Sequence, residues 1–260
     1  MPSLEPLFPY LFPYLLVVSR LAGLFMFAPL LSSLAVPMKV KGLLVLALSA
    51  AIFPAVPASF KETPITDLFT LLPLVLSESI IGFVVGLIAS APIMAMQAAG
   101  VVTSQQLGFG LGQTYNPTLE SESDAIGQLF SYLGLSTFLA VGGIEGSFIA
   151  VMNTFKLVPV GAFTTSMIPS ELIIGSLSGG LELAVRMSAP VMAIIALLLV
   201  VFGFLSRTMP ALNVMTVGFT MKIVAAMAIL IVSMRATGIA VGDESAAVLR
   251  ELLAWSRGGH

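Results

Sequence analysis

Six long apolar stretches limit what this chain can fold into more than any other feature of its sequence. Each is about long enough to cross a hydrocarbon core of roughly 30 Å as a helix, which takes about 20 residues. Isolated strands would leave backbone groups unpaired in lipid, and the alternating pattern of a membrane barrel is missing from these runs. We therefore predict an all-α membrane protein. The stretches are 7–36, 42–58, 68–102, 125–152, 181–205 and 212–234.

Charged residues make up only 9% of the chain, whereas an ordinary soluble domain carries about 25%. Lipid or other protein must therefore replace water around most of the surface. The net charge of -2 and the scattered Lys and Arg residues exclude a basic surface for nucleic acid. Cys is absent and the one His is the terminal His260, so we expect no metal site, no cofactor and no enzymatic nucleophile with its base.

Five prolines fall inside the apolar stretches or near their ends. Each removes a backbone donor, and we expect it to kink or break the helix. Broken helices are tolerated at membrane depth only where protein or a water-filled cavity covers them. This pattern predicts packing inside a larger assembly, and the lack of any solenoid repeat predicts a single domain, 1–260. The prolines are Pro29, Pro54, Pro73, Pro92 and Pro190.

The end of the chain, 235–260, is more polar than the rest. It predicts a short amphipathic helix that begins with Asp243 as its cap and stops at Gly258. We interpret it as a helix lying in the membrane interface, since such helices are common next to spans; a docking helix for a partner is the alternative. Its apolar face contains Val248, Leu249, Leu252 and Trp255.

Charges inside the apolar stretches are candidate functional residues, because an ionisable group in lipid normally faces a partner or a cavity. Glu182 and Arg186 are four residues apart and can form a structural ion pair on one helix face. Arg20, Glu78 and Lys222 have no such local partner. We predict inter-helix or inter-subunit pairing for them, with Arg20 and Glu78 as one pair; a proton or ion pathway is the alternative.

A Gly82-Phe-Val-Val-Gly86 pattern lies inside the third apolar stretch. Small residues at this spacing let two helices approach closely, although the pattern is common by chance in glycine-rich membrane sequences.

An uncharged but polar segment follows this stretch, within 97–124. Glycine occupies alternate positions from Gly108 to Gly112. Each glycine costs up to about 1 kcal/mol in a helix, so this segment is expected to be a loop. The G-x-G-x-G spacing does not match a nucleotide-binding motif. A long surface connection and an uncharged gate or constriction both fit this composition. The candidate residues are Gln106, Gly108, Phe109, Gly110, Leu111, Gly112, Gln113, Asn116 and Pro117.

Glycines, prolines and aromatic residues follow a specific order through the chain: Gln97-Ala-Ala-Gly100, Gly108, Asn116-Pro117, Gly127-Gln-Leu-Phe130, Phe138, Gly142-Gly143, Phe155, Pro159-Val-Gly161 and the block from Arg207-Thr-Met-Pro-Ala-Leu-Asn to Lys222. In this order they resemble the FliR family, the flagellar export-gate component that has a counterpart in injectisomes. The similarity covers essentially the whole chain.

The resemblance implies that the apolar segments form helical hairpins. It also implies a non-enzymatic subunit of the flagellar type III protein export gate, at the basal body in the bacterial inner membrane. It implies FliP-like and FliQ-like partners, other membrane proteins of the export apparatus, and exported unfolded flagellar proteins. It also implies that the glycine-rich loop lies at the pore, where it can act as a plug. The runner-up from the residues is a small-solute permease, which would normally show a repeated half with paired interrupted helices; no such repeat is found.

Overall fold

The computed structural model describes residues 8–28, 37–57, 68–108, 125–159, 167–209 and 214–258. Within these ranges the chain forms seven α-helices and one short 3-10 turn, and it contains no strand. The prediction of an all-α fold is thereby confirmed. The elements are α1 (Phe8–Phe27), α2 (Met38–Ile52), the 3-10 turn (Phe53–Ala55), α3 (Leu68–Leu107), α4 (Ala125–Ala140), α5 (Gly143–Leu157), α6 (Ser170–Thr208) and α7 (Val214–Ser256).

Five of the described helices are long and apolar enough to cross a membrane, and the bent pair of α4 and α5 makes a sixth span if it is counted as one. This agrees with the six predicted stretches. Three helices are much longer than a span, with 40 residues in α3, 39 in α6 and 43 in α7. At 1.5 Å per residue each is about 60 Å long, roughly twice the thickness of a hydrocarbon core.

Three of the five prolines do not break their helices. Helix α3 continues through Pro73 and Pro92, and α6 continues through Pro190, so of the two predicted effects a kink stays a prediction. Each proline removes one donor, but with little water to compete for the backbone, the remaining hydrogen bonds of the helix persist. Pro54 does lie where α2 gives way to the 3-10 turn. Pro29 lies outside the described residues.

The chain divides into two compact units. Unit 1 contains Met1–Ala91, Leu139–Leu177 and Ser245–His260, and unit 2 contains Pro92–Phe138 and Ser178–Glu244. Each boundary falls inside a helix, where no linker composition marks it. This is why the sequence indicates one domain, 1–260, although the structure has two compact units.

Unit 1 is built around α1. Helix α2 returns antiparallel to it, with the Tyr14 hydroxyl donating to the Leu46 carbonyl at 2.8 Å. The Tyr14 ring also packs edge-on against Phe53, with 5.8 Å between the ring centroids. Helix α5 passes on another side, where Phe25 contacts Phe148 at a centroid distance of 6.3 Å. Helices α2 and α5 and the 3-10 turn therefore pack against α1. The first part of α3 packs against it as well.

The last helix does not begin where the sequence predicts. Helix α7 runs without a break from Val214 through Asp243 to Ser256, so Asp243 is not a helix cap and the tail is not a separate helix. Its end does lie near the predicted stop, since Gly258 has a φ of +85°. A polar stretch of a long helix looks like a new helix start when only local composition is considered.

The apolar face at the end of α7 packs inside unit 1. Leu249 and Leu252 are buried, and a Cβ atom built on Gly146 of α5 would lie 3.2 Å from Leu249 Cδ2. Asn153 Nδ2 of α5 donates to Ser256 Oγ at 3.2 Å. The interpretation as an interfacial helix is therefore wrong for this face, because the chain itself covers it.

Unit 2 consists of two antiparallel helix pairs. The end of α3 and α4 touch at their glycines, with a Cβ built on Gly100 only 2.7 Å from the Gly127 Cα. Helices α6 and α7 form the second pair, in which Gly179 lies beside Glu244 and Gly218 lies beside Phe202. The buried core is apolar and contains Ala95, Met96, Ala99, Leu107, Ile126, Phe130, Leu183, Ala184, Met187, Val191, Ile195, Ala226 and Val241.

Candidate functional site

Two oppositely charged side chains are enclosed in unit 1. Arg20 of α1 and Glu78 of α3 are each 0% exposed. Arg20 Nη2 forms an ion pair with Glu78 Oε2, and Arg20 Nε donates to the same oxygen at 2.6 Å. The structure thus brings together the two charges for which the sequence offers no local partner.

The rest of the Arg20 guanidinium holds the end of α5. Nη1 donates to Thr154 Oγ1 at 3.1 Å, and Nη2 lies 3.5 Å from the Val158 carbonyl oxygen. The guanidinium carbon is 4.3 Å from the centroid of the Phe155 ring, a cation–π geometry. Arg20 therefore ties α1 to both α3 and the C-terminal turn of α5. We name Arg20, Glu78, Thr154, Phe155 and Val158 the arginine cluster.

Close contact between α1 and α3 encloses this cluster. A Cβ atom built on Gly82 would overlap the Arg20 carbonyl oxygen, and one built on Gly23 would overlap the carbonyl oxygen of Ser79. Gly86 meets the next turn of α1 in the same way, which shows that the two helices run in the same direction. The two glycines of the G-x-x-x-G pattern thus face α1 and bring its backbone against that of α3.

The arginine cluster uses most of its polar atoms internally. Hydrogen bonds to the other polar atoms of a buried ion pair offset part of its desolvation cost, which is several kcal/mol per ion. Thr154 also donates its hydroxyl to the Val151 carbonyl at 2.6 Å. Glu78 Oε1 has no hydrogen-bond partner among the described residues. This arrangement is suited to holding three helices in one register.

A metal-binding group is not apparent in the described part of the chain. No three His, Cys, Asp or Glu side chains come together there in a way that could hold a metal ion.

The other predicted charges are arranged differently. Glu182 and Arg186 are both exposed on α6, and no ion pair joins them among the described residues. Lys222 is partly buried on α7, and no described acid forms an ion pair with it. Their intramembrane and inter-subunit roles remain predictions.

The predicted loop is only partly within the described residues. Helix α3 extends to Leu107, so Gln106, the first residue of the predicted loop, lies in the last turn of the helix instead. Gly108 directly follows the helix and has a φ of +91°, a conformation that suits glycine. The remaining candidates lie outside the described residues: Phe109, Gly110, Leu111, Gly112, Gln113, Asn116 and Pro117.

Sequence reasoning missed two members of the arginine cluster, Thr154 and Val158. They lie 134 and 138 residues from Arg20 along the chain, and neither is charged. Phe155 stood out only through the family resemblance. An uncharged residue that supports a buried charge from a distant helix leaves no local pattern in the sequence.

Comparison with known proteins places the chain among export components. Residues 11–247 match the family described as "Bacterial export proteins, family 1". The "Yop proteins translocation protein T" of Yersinia pestis is 27% identical over 228 residues, which is 85% of each chain. The "Flagellar biosynthetic protein FliR" of Bacillus subtilis is 29% identical over 239 residues, 90% of this chain and 89% of the relative.

A third relative is the "Surface presentation of antigens protein SpaR" of Salmonella typhimurium, 23% identical over 205 residues, 78% of this chain and 76% of the relative. Relatives named for flagellar biosynthesis and for translocation are thus similar to this chain at comparable identity. The family match includes the positions of every member of the arginine cluster.

Proposed function

Because this chain belongs to the bacterial export proteins of family 1, we propose that it is a non-enzymatic subunit of the flagellar type III protein export gate. In this function it forms a secretion channel with FliP-like and FliQ-like subunits, at the flagellar basal body in the bacterial inner membrane. Unfolded flagellar proteins pass through that channel. The observation that carries the proposal is the family match over residues 11–247, with relatives such as FliR that align over most of both chains.

The exposed apolar surface supports a function inside an assembly. The span windows of α2, α6 and α7 are only 11%, 17% and 11% buried by the chain itself, whereas that of α1 is 50% buried. A hydrocarbon core of roughly 30 Å covers about half the length of an untilted helix as long as α6. In our proposal, helices of partner subunits cover the remainder.

The segment after Gly108 is the proposed plug of the channel. Phe109 and Leu111 supply bulk without charge, and apolar constrictions can close a pore by excluding water. The positive φ of Gly108 turns the chain out of α3 just before this segment. Replacing Phe109 with Gly, or shortening the segment, should make cells leak small solutes while the complex still assembles. An unchanged permeability barrier in an assembled complex would show that another element forms the seal.

The experiment that tests the function is gene deletion in the source bacterium, followed by complementation with a tagged chain. We expect the deletion to abolish flagellar filament secretion and motility, and the tagged chain to restore both and to co-purify with FliP-like and FliQ-like proteins. Loss of effector secretion with normal motility would assign the chain to an injectisome instead. Solute uptake by the purified chain alone would favour a permease.

A further inference from the structure

Lys222 lies on the part of α7 that packs against α6 in unit 2. One turn before it, Gly218 is buried beside Phe202 of α6, and one turn after it, Ala226 is buried in the core of the unit. Lys222 itself is partly buried. Residues one turn apart share a helix face, so its side chain starts on the face that α7 turns toward α6.

No acid of the described part of unit 2 is close to this lysine. The acids there are Glu182, Asp243 and Glu244. Asp243 lies about 30 Å further along α7 at 1.5 Å per residue. Glu244 lies beside Gly179, which places Glu182 at that same far end of the α6 and α7 pair. The ranges 190–208 of α6 and 214–230 of α7 thus contain two cations, Arg207 and Lys222, and no acid.

An ammonium group packed beside apolar side chains needs an anion or water, because a charge left without either costs several kcal/mol. A carboxylate on a helix of another subunit supplies such an anion, and the apolar stem of that side chain can pack against the apolar residues around Lys222.

We infer that Lys222 forms an ion pair with a carboxylate of another subunit, whose helix packs against α6 and α7 beside this lysine. Exposed apolar residues of the two helices, Leu199 and Met221 among them, supply the surface on which that helix packs. The inference rests on the proposed function, because it requires an assembled gate. It adds the chemistry of the contact: an acidic side chain on an otherwise apolar partner helix.

The test compares Lys222→Met and Lys222→Arg, each co-expressed with the FliP-like and FliQ-like subunits and purified in detergent. Arg235→Met is the matched control, because Arg235 is an exposed cation on the same helix. Loss of one member of a buried charge pair weakens a complex by at least about tenfold. We expect that reduction in complex yield for Lys222→Met, and near-normal yield for Lys222→Arg and for the control.

A second arm keeps the inference falsifiable if Lys222→Met folds poorly. Suppressors that restore secretion to a Lys222→Glu strain should replace an acid of a partner subunit with Lys or Arg. Suppressors at Glu120, Glu122 or Asp124, acids of this chain outside the described residues, would overturn the inference, and so would normal yield of Lys222→Met complex. If the unaltered chain itself fails to co-purify with both subunits, the proposed function and this inference fail together.

Discussion

Removing the Arg20 charge should destabilise the chain strongly, and removing both charges of the pair should not. Arg20→Met abolishes the ion pair, the bonds to Thr154 and Val158 and the contact with Phe155, and it leaves the Glu78 carboxylate buried without its partner. Breaking a buried pair on one side costs about 3–5 kcal/mol. Replacing both members with apolar residues of similar size is often neutral or stabilising.

The assay is thermal unfolding of the detergent-purified chain for Arg20→Met, Glu78→Leu and the double variant Arg20→Met with Glu78→Leu. At roughly 2–4 °C per kcal/mol for a chain near this size, each single variant should melt about 10 °C lower. The double variant should melt within a few degrees of the unaltered chain. Arg235→Met, at an exposed cation, is the control.

A double variant that melts no higher than the less stable single variant would refute this reasoning. It would mean that the pair contributes through its shape and hydrogen bonds to α5, and that an apolar pair cannot replace it. An unchanged melting temperature for Arg20→Met would refute the burial of the charge itself.

Three further predictions follow from the same geometry. Gly82→Ala should prevent native packing, because the added Cβ would overlap the α1 backbone. Gly238→Ala should add up to about 1 kcal/mol of stability, because no atom lies near the added Cβ. Thermal melts of the two variants test this difference. Thr154→Val should lower the stability measured in the same way by about 1.5–3 kcal/mol, since a hydrogen bond from a charged group is lost. Glu182→Gln and Arg186→Gln should each change the stability by less than about 1 kcal/mol, because both side chains are exposed. A larger loss of stability would show that the two side chains form a stabilising ion pair.

Much of the arginine cluster could be found from sequence because a charge inside an apolar run is visible locally. Arg20 and Glu78 stand out in this way, and the structure brings them into contact. The glycine spacing that encloses them was also visible, but its partner helix was not. Thr154 and Val158 carried no signal, since their role depends on a helix more than 130 residues away.

The helix boundaries show where local rules fail. Rules that assume water around the chain predict a kink or break at Pro92 and the start of a helix at the polar stretch around Asp243. Water competes for backbone hydrogen bonds in a soluble protein, but it does so poorly in apolar surroundings, so α3 continues through Pro92. Helix α7 continues through Asp243 because that stretch contains no helix-breaking proline, and local composition does not show that a helix has already begun.

The sequence alone determined the class of the protein, all-helical and membrane-bound, because hydrocarbon forces every backbone group to find its partner within the same helix. It also determined which charges are exceptional. Only the tertiary structure decided which surfaces meet: that α3 lies against α1 at Gly82, that Arg20 reaches the end of α5, and that the tail around Leu252 is covered by the chain itself. Such contacts depend on the shapes of distant helices, and an apolar face looks the same in sequence whether lipid, a partner or its own chain covers it.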